Sequence, residues 1–220
     1  MRHVEKNSLH LDRWHYLDYR DEHHDDHYIE WKYFNFMQDD LAGYIIYYIL
    51  DPELKTNIGG GRLLVRLFKE NAAMGLIKKI SVDRIQFDPI SANVSMDGAT
   101  INEKNPYYYD LDGACENISW KLSYQQKTPS IVSFSDINSG LMPWESVNWI
   151  IKMPKAHVRG EIQIDKERFV INGTGYSDTN WGEIMPFFLR YEWGQYNDNT
   201  ISFFLEFCMD SGMLNTLIFI

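Results

Sequence analysis

Short runs of alternating residues constrain this chain more than any other feature. Ile118, Trp120, Leu122 and Tyr124 alternate with Ser119, Lys121 and Ser123. A period of two sends successive side chains to opposite faces, so this run predicts a half-buried strand. Val158, Gly160, Ile162 and Ile164 repeat the pattern, and Phe169 with Ile171 resumes it after the polar Asp165-Lys166-Glu167, which predicts a hairpin. Phe203, Leu205, Phe207 and Met209 face one way, with Phe204, Glu206 and Cys208 opposite. Further strands are expected over 28–37, 43–50, 62–68, 146–153, 185–193 and 214–220. Only 70–79 has enough Ala, Met, Leu and Lys to predict a short helix, which Gly75 weakens. Many short strands with one helix at most imply an all-β sandwich or antiparallel barrel.

Composition narrows the function classes. An apolar fraction of 45 % is enough to bury a sizeable core, and 220 residues fit one large β domain, taken as 1–220. A net charge of −10 argues against nucleic acid or an anionic membrane surface as partner, since both call for a basic face. Aromatics at 15 % exceed an ordinary domain and suit both strands and the lining of apolar ligand pockets. Cys115 and Cys208 stand far apart, which fits a reducing, cytoplasmic setting. Residues 1–17 lack the apolar stretch of a signal peptide, and no run approaches the length of a transmembrane segment. Residues 213–220 read as a strand without turn residues or a polar tail, so the expectation is a buried strand or a longer chain.

Two segments carry a family resemblance. The first is Tyr28-Ile-Glu30-Trp31-Lys-Tyr33-Phe34-Asn35-Phe. The second runs from Trp149 through Pro154-Lys-Ala156-His-Val158-Arg-Gly160 to Gly173-Thr-Gly175-Tyr176-Ser177-Asp178-Thr179-Asn180-Trp181-Gly182, with Trp193-Gly194 beyond. Over roughly Tyr28 to the C-terminus the chain resembles the proteins grouped with carotenoid 1,2-hydratases (hydroxyneurosporene synthases), tocopherol cyclase-like proteins and fungal decalin-forming Diels–Alderases. The resemblance implies a lipocalin-like fold, commonly two consecutive β domains, with a cavity at or between them for a large polyene- or isoprenoid-like ligand. Family members usually continue past the Trp193-Gly194 strand, so this chain corresponds to the first domain. Ser177 stands where the family usually has His; a serine cannot shuttle protons near neutral pH, which weighs against hydration in particular.

The motif admits two readings. Asp178 and Asn180 can form a polar corner before Trp181, bonding its backbone as Asp and Asn do in turns, with Gly173 and Gly175 supplying a bulge or positive φ. Alternatively, Asp178 sits at a cavity mouth, partly desolvated by Trp181 and Trp193, its pKa raised enough to hold and donate a proton. Tyr176 would then orient that proton or stabilise charge, and Trp31, Tyr33, Asn180, Trp181 and Trp193 would contact the ligand. Glu30 is a further candidate acid, set by alternation on the face opposite Trp31 and Tyr33; its other reading is a salt-bridged or solvated edge carboxylate. His23, His24 and His27 stand among acids at 21–27, and a solvated loop is favoured there over a metal site. Gly59-Gly60-Gly61 lacks the residues of a phosphate loop and reads as a hairpin turn.

The expected function is a cofactor-independent cyclase or isomerase acting on a long apolar substrate, with no metal and no cofactor. A lipid- or pigment-binding protein without chemistry is the alternative. A third reading is a half-domain that works through a partner domain or as a homo-oligomer joined by exposed edge strands.

Overall fold

The computed structural model describes residues 2–3, 12–16, 28–54, 59–70, 72–137, 147–183, 191–197, 202–208 and 214–219. Alternation has set the strands where it is strongest. β1 (Arg2–His3), β2 (Tyr28–Gln38), β3 (Leu41–Leu50), β4 (Gly60–Lys69) and β5 (Ala72–Ile80) are followed by a 3₁₀ turn at Val82–Arg84. β6 (Ile85–Phe87), β7 (Val94–Met96), β8 (Ala99–Asn105), β9 (Tyr108–Cys115), β10 (Ile118–Gln126) and β11 (Ile131–Ile137) form the middle of the chain. The long β12 (Val147–Ile164) and β13 (Glu167–Glu183) then make the hairpin expected around Asp165. β14 (Tyr191–Asn197), β15 (Ser202–Cys208) and β16 (Leu214–Phe219) form a separate antiparallel sheet.

The main sheet runs β5-β4-β3-β2-β13-β12-β10-β9-β8-β7-β6, with β11 on β12 and β1 on β11; every pairing in it is antiparallel. Its two end strands, β5 and β6, are joined by the Val82–Arg84 turn, so the sheet curls into a nearly closed barrel. Phe34, Tyr47, Tyr109, Trp120 and Tyr124 point inward and pack with Ile, Leu and Val into one continuous core. The fold is all-β and lipocalin-like, as the alternation and the family resemblance implied. Among the described residues no helix is long and apolar enough to cross a membrane.

Three local expectations change. Residues 72–80 form a strand rather than a helix, because ten-residue β4 offers a free edge and nine consecutive residues of β5 pair with it. Tertiary pairing here overrides local propensity. Gly60 and Gly61 open β4 instead of forming a turn, and Gly60 takes a φ of 108° that favours glycine. The Gly173–Gly182 stretch is no corner: it lies within unbroken β13. Gly173 and Gly175 serve close approach there. A Cβ on Gly175 would sit 2.4 Å from the Asn35 carbonyl oxygen and 2.4 Å from Val158 Cγ2. Of the strand expected over 185–193, residues 191–193 open β14, while 184–190 lie outside the described residues, as do 21–27.

β12 departs from its partner's register twice, between Ile151 and Met153 and between Met153 and Ala156. Each shift is a β-bulge with one extra residue on β12. The first sets Met153 inward beside Lys152, whose Nζ lies 5.7 Å from the Tyr109 ring centre. The same bulges leave Trp149 and Ile151 on the outer face, opposite Asn180 and Asp178.

Candidate functional site

Because β13 is central, its two faces look into different surroundings. Ser177, Thr179 and Trp181 face the barrel interior. Tyr176, Asp178 and Asn180 face outward and are nevertheless buried. They pack among Trp149, Ile151, Ile131 and Tyr33, a small apolar cluster separate from the barrel core. Register places Tyr33 directly across from Asp178, Asn35 across from Tyr176 and Trp31 across from Asn180.

Asp178 is 4 % exposed. Its Oδ2 accepts hydrogen bonds from the Tyr176 hydroxyl at 2.6 Å and from Trp149 Nε1 at 3.2 Å. Asn180 Nδ2 donates to Oδ1 at 3.3 Å. Burial pushes the carboxyl pKa up to about 7, because a charge removed from water loses its solvation. The Tyr176 and Trp149 bonds pull it back down, the charge on Asp12 adds to the rise, and the Asn180 bond pulls down again. A carboxyl poised near neutrality can hold a proton or release it at ordinary pH.

From this centre aromatic rings continue along the outer face, half-buried at Tyr33 and Tyr44 and exposed at Phe68. Tyr33 lies 6.1 Å from Tyr176 and 5.6 Å from Tyr44, and Tyr44 lies 6.2 Å from Phe68. Trp31 stacks on Tyr48 at 5.5 Å. β14 approaches the same face, where Gln195 Oε1 accepts a bond from Asn35 Nδ2 at 2.8 Å.

The structure therefore gathers Tyr176, Asp178, Asn180, Trp31 and Tyr33 on one face. It separates two other candidates from them. Trp181 lies on the inner face, stacked on His15 with ring centres 3.6 Å apart, so Trp149 rather than Trp181 helps to enclose Asp178. Glu30 is also on the inner face and is neither solvated nor at an edge. It accepts from the His15 and Tyr16 amides and, at 2.5 Å, from the Tyr28 hydroxyl, with His15 Nδ1 3.1 Å away. The side chain of Trp193 lies outside the described residues; its backbone pairs with Glu206 in the second sheet.

A second polar group lies inside the barrel, with nothing in the residue pattern to announce it. Lys32, fully buried, donates to the Asp12 carbonyl at 2.6 Å, to Asp12 Oδ1 at 3.3 Å and to Thr179 Oγ1 at 3.3 Å. It also lies 4.8 Å from the Trp14 ring centre. Thr179 and Tyr109 donate to the Asp12 carboxylate. Burial raises that carboxyl, but Lys32, Lys152 and the two hydroxyl donors outweigh it and hold the pKa below the usual carboxylate range. With Glu30 they fasten the segment 12–16 into the barrel end, a structural role that satisfies every charge. Ser177 is nearby on the inner face, buried, its hydroxyl without a partner among the described residues. A surface groove of about 400 Å³ beside Gly113, Trp120 and Lys121 is on another part of the sheet, away from Asp178.

No family model matches the chain, and no curated protein sequence does. Solved structures share its fold. An AttH candidate from Nitrosomonas europaea aligns with a TM-score of 0.64 at 13 % identity, covering 89 % of this chain and 69 % of its own. CghA, crystallised with Sch210972, gives 0.60 at 12 % identity, over 87 % of this chain and 57 % of CghA. Kievitone hydratase from Nectria haematococca gives 0.58 at 12 % identity, over 86 % of this chain and 63 % of its own. The chain thus spans 57 % to 69 % of the length of these proteins. At such identities the likeness is one of fold.

Proposed function

We propose that this chain is a cofactor-independent cyclase or isomerase for a long apolar polyene or isoprenoid, with Asp178 giving and taking the proton. One observation carries the reading: a carboxyl 4 % exposed, its pKa lifted by burial to about 7, stands at the end of a half-buried aromatic row. Two donors, Tyr176 and Trp149, occupy Oδ2, while Oδ1 has only the longer bond from Asn180. In the neutral form the proton therefore resides on Oδ1, and Tyr176 positions the carboxyl that carries it.

Transfer of that proton to one carbon of a substrate double bond leaves a carbocation on the other. A second double bond of the folded substrate attacks it and forms a carbon–carbon bond. Loss of a neighbouring proton to the Asp178 carboxylate then restores both an alkene and the acid. The product is an isomer of the substrate, and the enzyme ends in its starting state. The ring faces of Tyr33 and Tyr176 stabilise the cation, and holding the chain folded lowers the entropic barrier to closure. The structural neighbours lend support: one was crystallised with Sch210972 and another is named for a hydration.

Incubating wild type and Asp178→Asn with polyene and isoprenoid candidates, with products read by mass spectrometry, tests the reading. The variant should lose about 100-fold or more in turnover, the usual worth of a positioned acid. Equal turnover removes Asp178 from the chemistry. A carrier without chemistry is favoured by one fact, that both oxygens of Asp178 find donors within the protein. Ligand extracted unaltered, with affinity indifferent to Asp178→Asn, would establish that alternative.

A further inference from the structure

The outer face that leads away from Asp178 carries charge of one sign. Register sets a central row across five strands, Asp178, Tyr33, Ile46, Leu64 and Ile77. It is apolar beyond the buried carboxyl, and Ile46 and Leu64 are half-buried. On one side of it Tyr44 pairs with Arg66, and on the other Tyr48 pairs with Arg62, which pairs with Lys79. No other carboxylate falls on the outward positions of β2, β3, β4 or β5, although the whole chain carries −10.

Arg66 is exposed, and its side chain makes no hydrogen bond or ion pair with any described residue. Its Nε would be 3.1 Å from a Cβ on Gly75, so the side chain lies across β5 at a position where no side chain stands. From β13 to β5 the row crosses four strand spacings, about 19 Å. The rings of Tyr176, Tyr33, Tyr44 and Phe68 follow one another along that path.

We propose that this face binds an amphiphile, with a carboxylate head on Arg66 and a long apolar body along the Tyr33–Ile46–Leu64 row. The proposal rests on Asp178 as the reacting end, and it names the substrate class for that site. An acidic protein repels anions over most of its surface, so a face with cations alone is where a carboxylate settles. The guanidinium offers two parallel donors to the two carboxylate oxygens. With the head held over β5 by Arg66, the far end of the body reaches Asp178, and any chemistry falls on the carbons remote from the carboxylate.

The test is a fluorescence titration of the wild type and Arg66→Gln with cis-parinaric acid and with its methyl ester, at pH 7.5 and low salt. The wild type should bind the acid about tenfold more tightly than the ester, in line with one charge-assisted contact. Arg66→Gln should bring the acid down to the ester and leave the ester unchanged. Acid and ester binding alike, or both weakened equally by the substitution, overturns the amphiphile and leaves the apolar site of the preceding section standing. If neither probe binds the wild type, that site fails as well. A parallel sedimentation with phosphatidylserine vesicles guards against a different partner. Vesicle binding lost in Arg66→Gln while the probe still binds as before would make this a membrane-docking face and overturn the proposal.

Discussion

At the scale of single residues, the decisive relation is between Asp178 and its donors. Tyr176 bonds the charged form of the carboxyl and so lowers a pKa that burial raises. Tyr176→Phe removes that bond, and the carboxyl should titrate higher, by about one pH unit for a bond to a charged group. If the protonated acid is the active form, activity falls as pH rises through about 7, and in Tyr176→Phe this alkaline limb moves to higher pH. A pH–rate profile reads the shift; a limb that stays in place separates Tyr176 from the proton. The residues of this site were legible as one motif, but their arrangement was not: the motif read as a corner, and it is the unbroken β13 that sets Tyr176, Asp178 and Asn180 on one face by their spacing of two. Trp149 was not legible: it lies 29 residues from Asp178, and it stands opposite Asn180 rather than Gly182 only because the two β12 bulges shift the register by two residues, which leaves no mark in the sequence. Lys32 and Asp12 were equally hidden, because a lysine in an aromatic strand and an acid near the N-terminus both look like surface residues.

At the scale of elements, the strands were readable where one side met water and the other the core. β10 shows it, with Ile118, Trp120, Leu122 and Tyr124 buried and the residues between them not. β5 was misread because it is an edge strand with little buried surface, so its Ala, Met and Lys carry no alternation strong enough to contradict helix propensity. The β2–β13 contact depends on Gly175 lying against the Asn35 carbonyl. Gly175→Ala should push the two strands apart and cost about 3 kcal/mol, the upper range for overpacking. Urea denaturation would show this as a lower midpoint with an unchanged slope. A midpoint equal to wild type would mean that the strands tolerate the added methyl.

At the scale of the molecule, the same carboxyl links stability to pH. The folded pKa of about 7 exceeds the ordinary carboxylate value of 3.8, so between these values the folded state binds more protons than the unfolded. The stability contributed by protonated Asp178 is complete below the unfolded value and is lost as pH rises through about 7. Asp178→Asn keeps the shape and discards the charge. Its advantage over wild type should grow from acid pH to pH 8, reaching a few kcal/mol at most on the usual scale of pKa linkage. Thermal melts of both proteins across that range would show it, and parallel curves would mean that Asp178 titrates as it does in water. The barrel was legible from the abundance of short strands, whereas the pairing of β2 with β13, so distant in the chain, could not be read from local patterns.

The segment 12–16 has a consequence for how the molecule comes together. Its anchors are drawn from both ends of the chain: Lys32 and Glu30 on β2, then Thr179 and Trp181 on β13. The first pair is local, but the second exists only once the chain has returned past residue 179. The plug therefore works as a stopper fitted after the vessel is shaped, and its seating reports that the last long strand of the barrel has arrived.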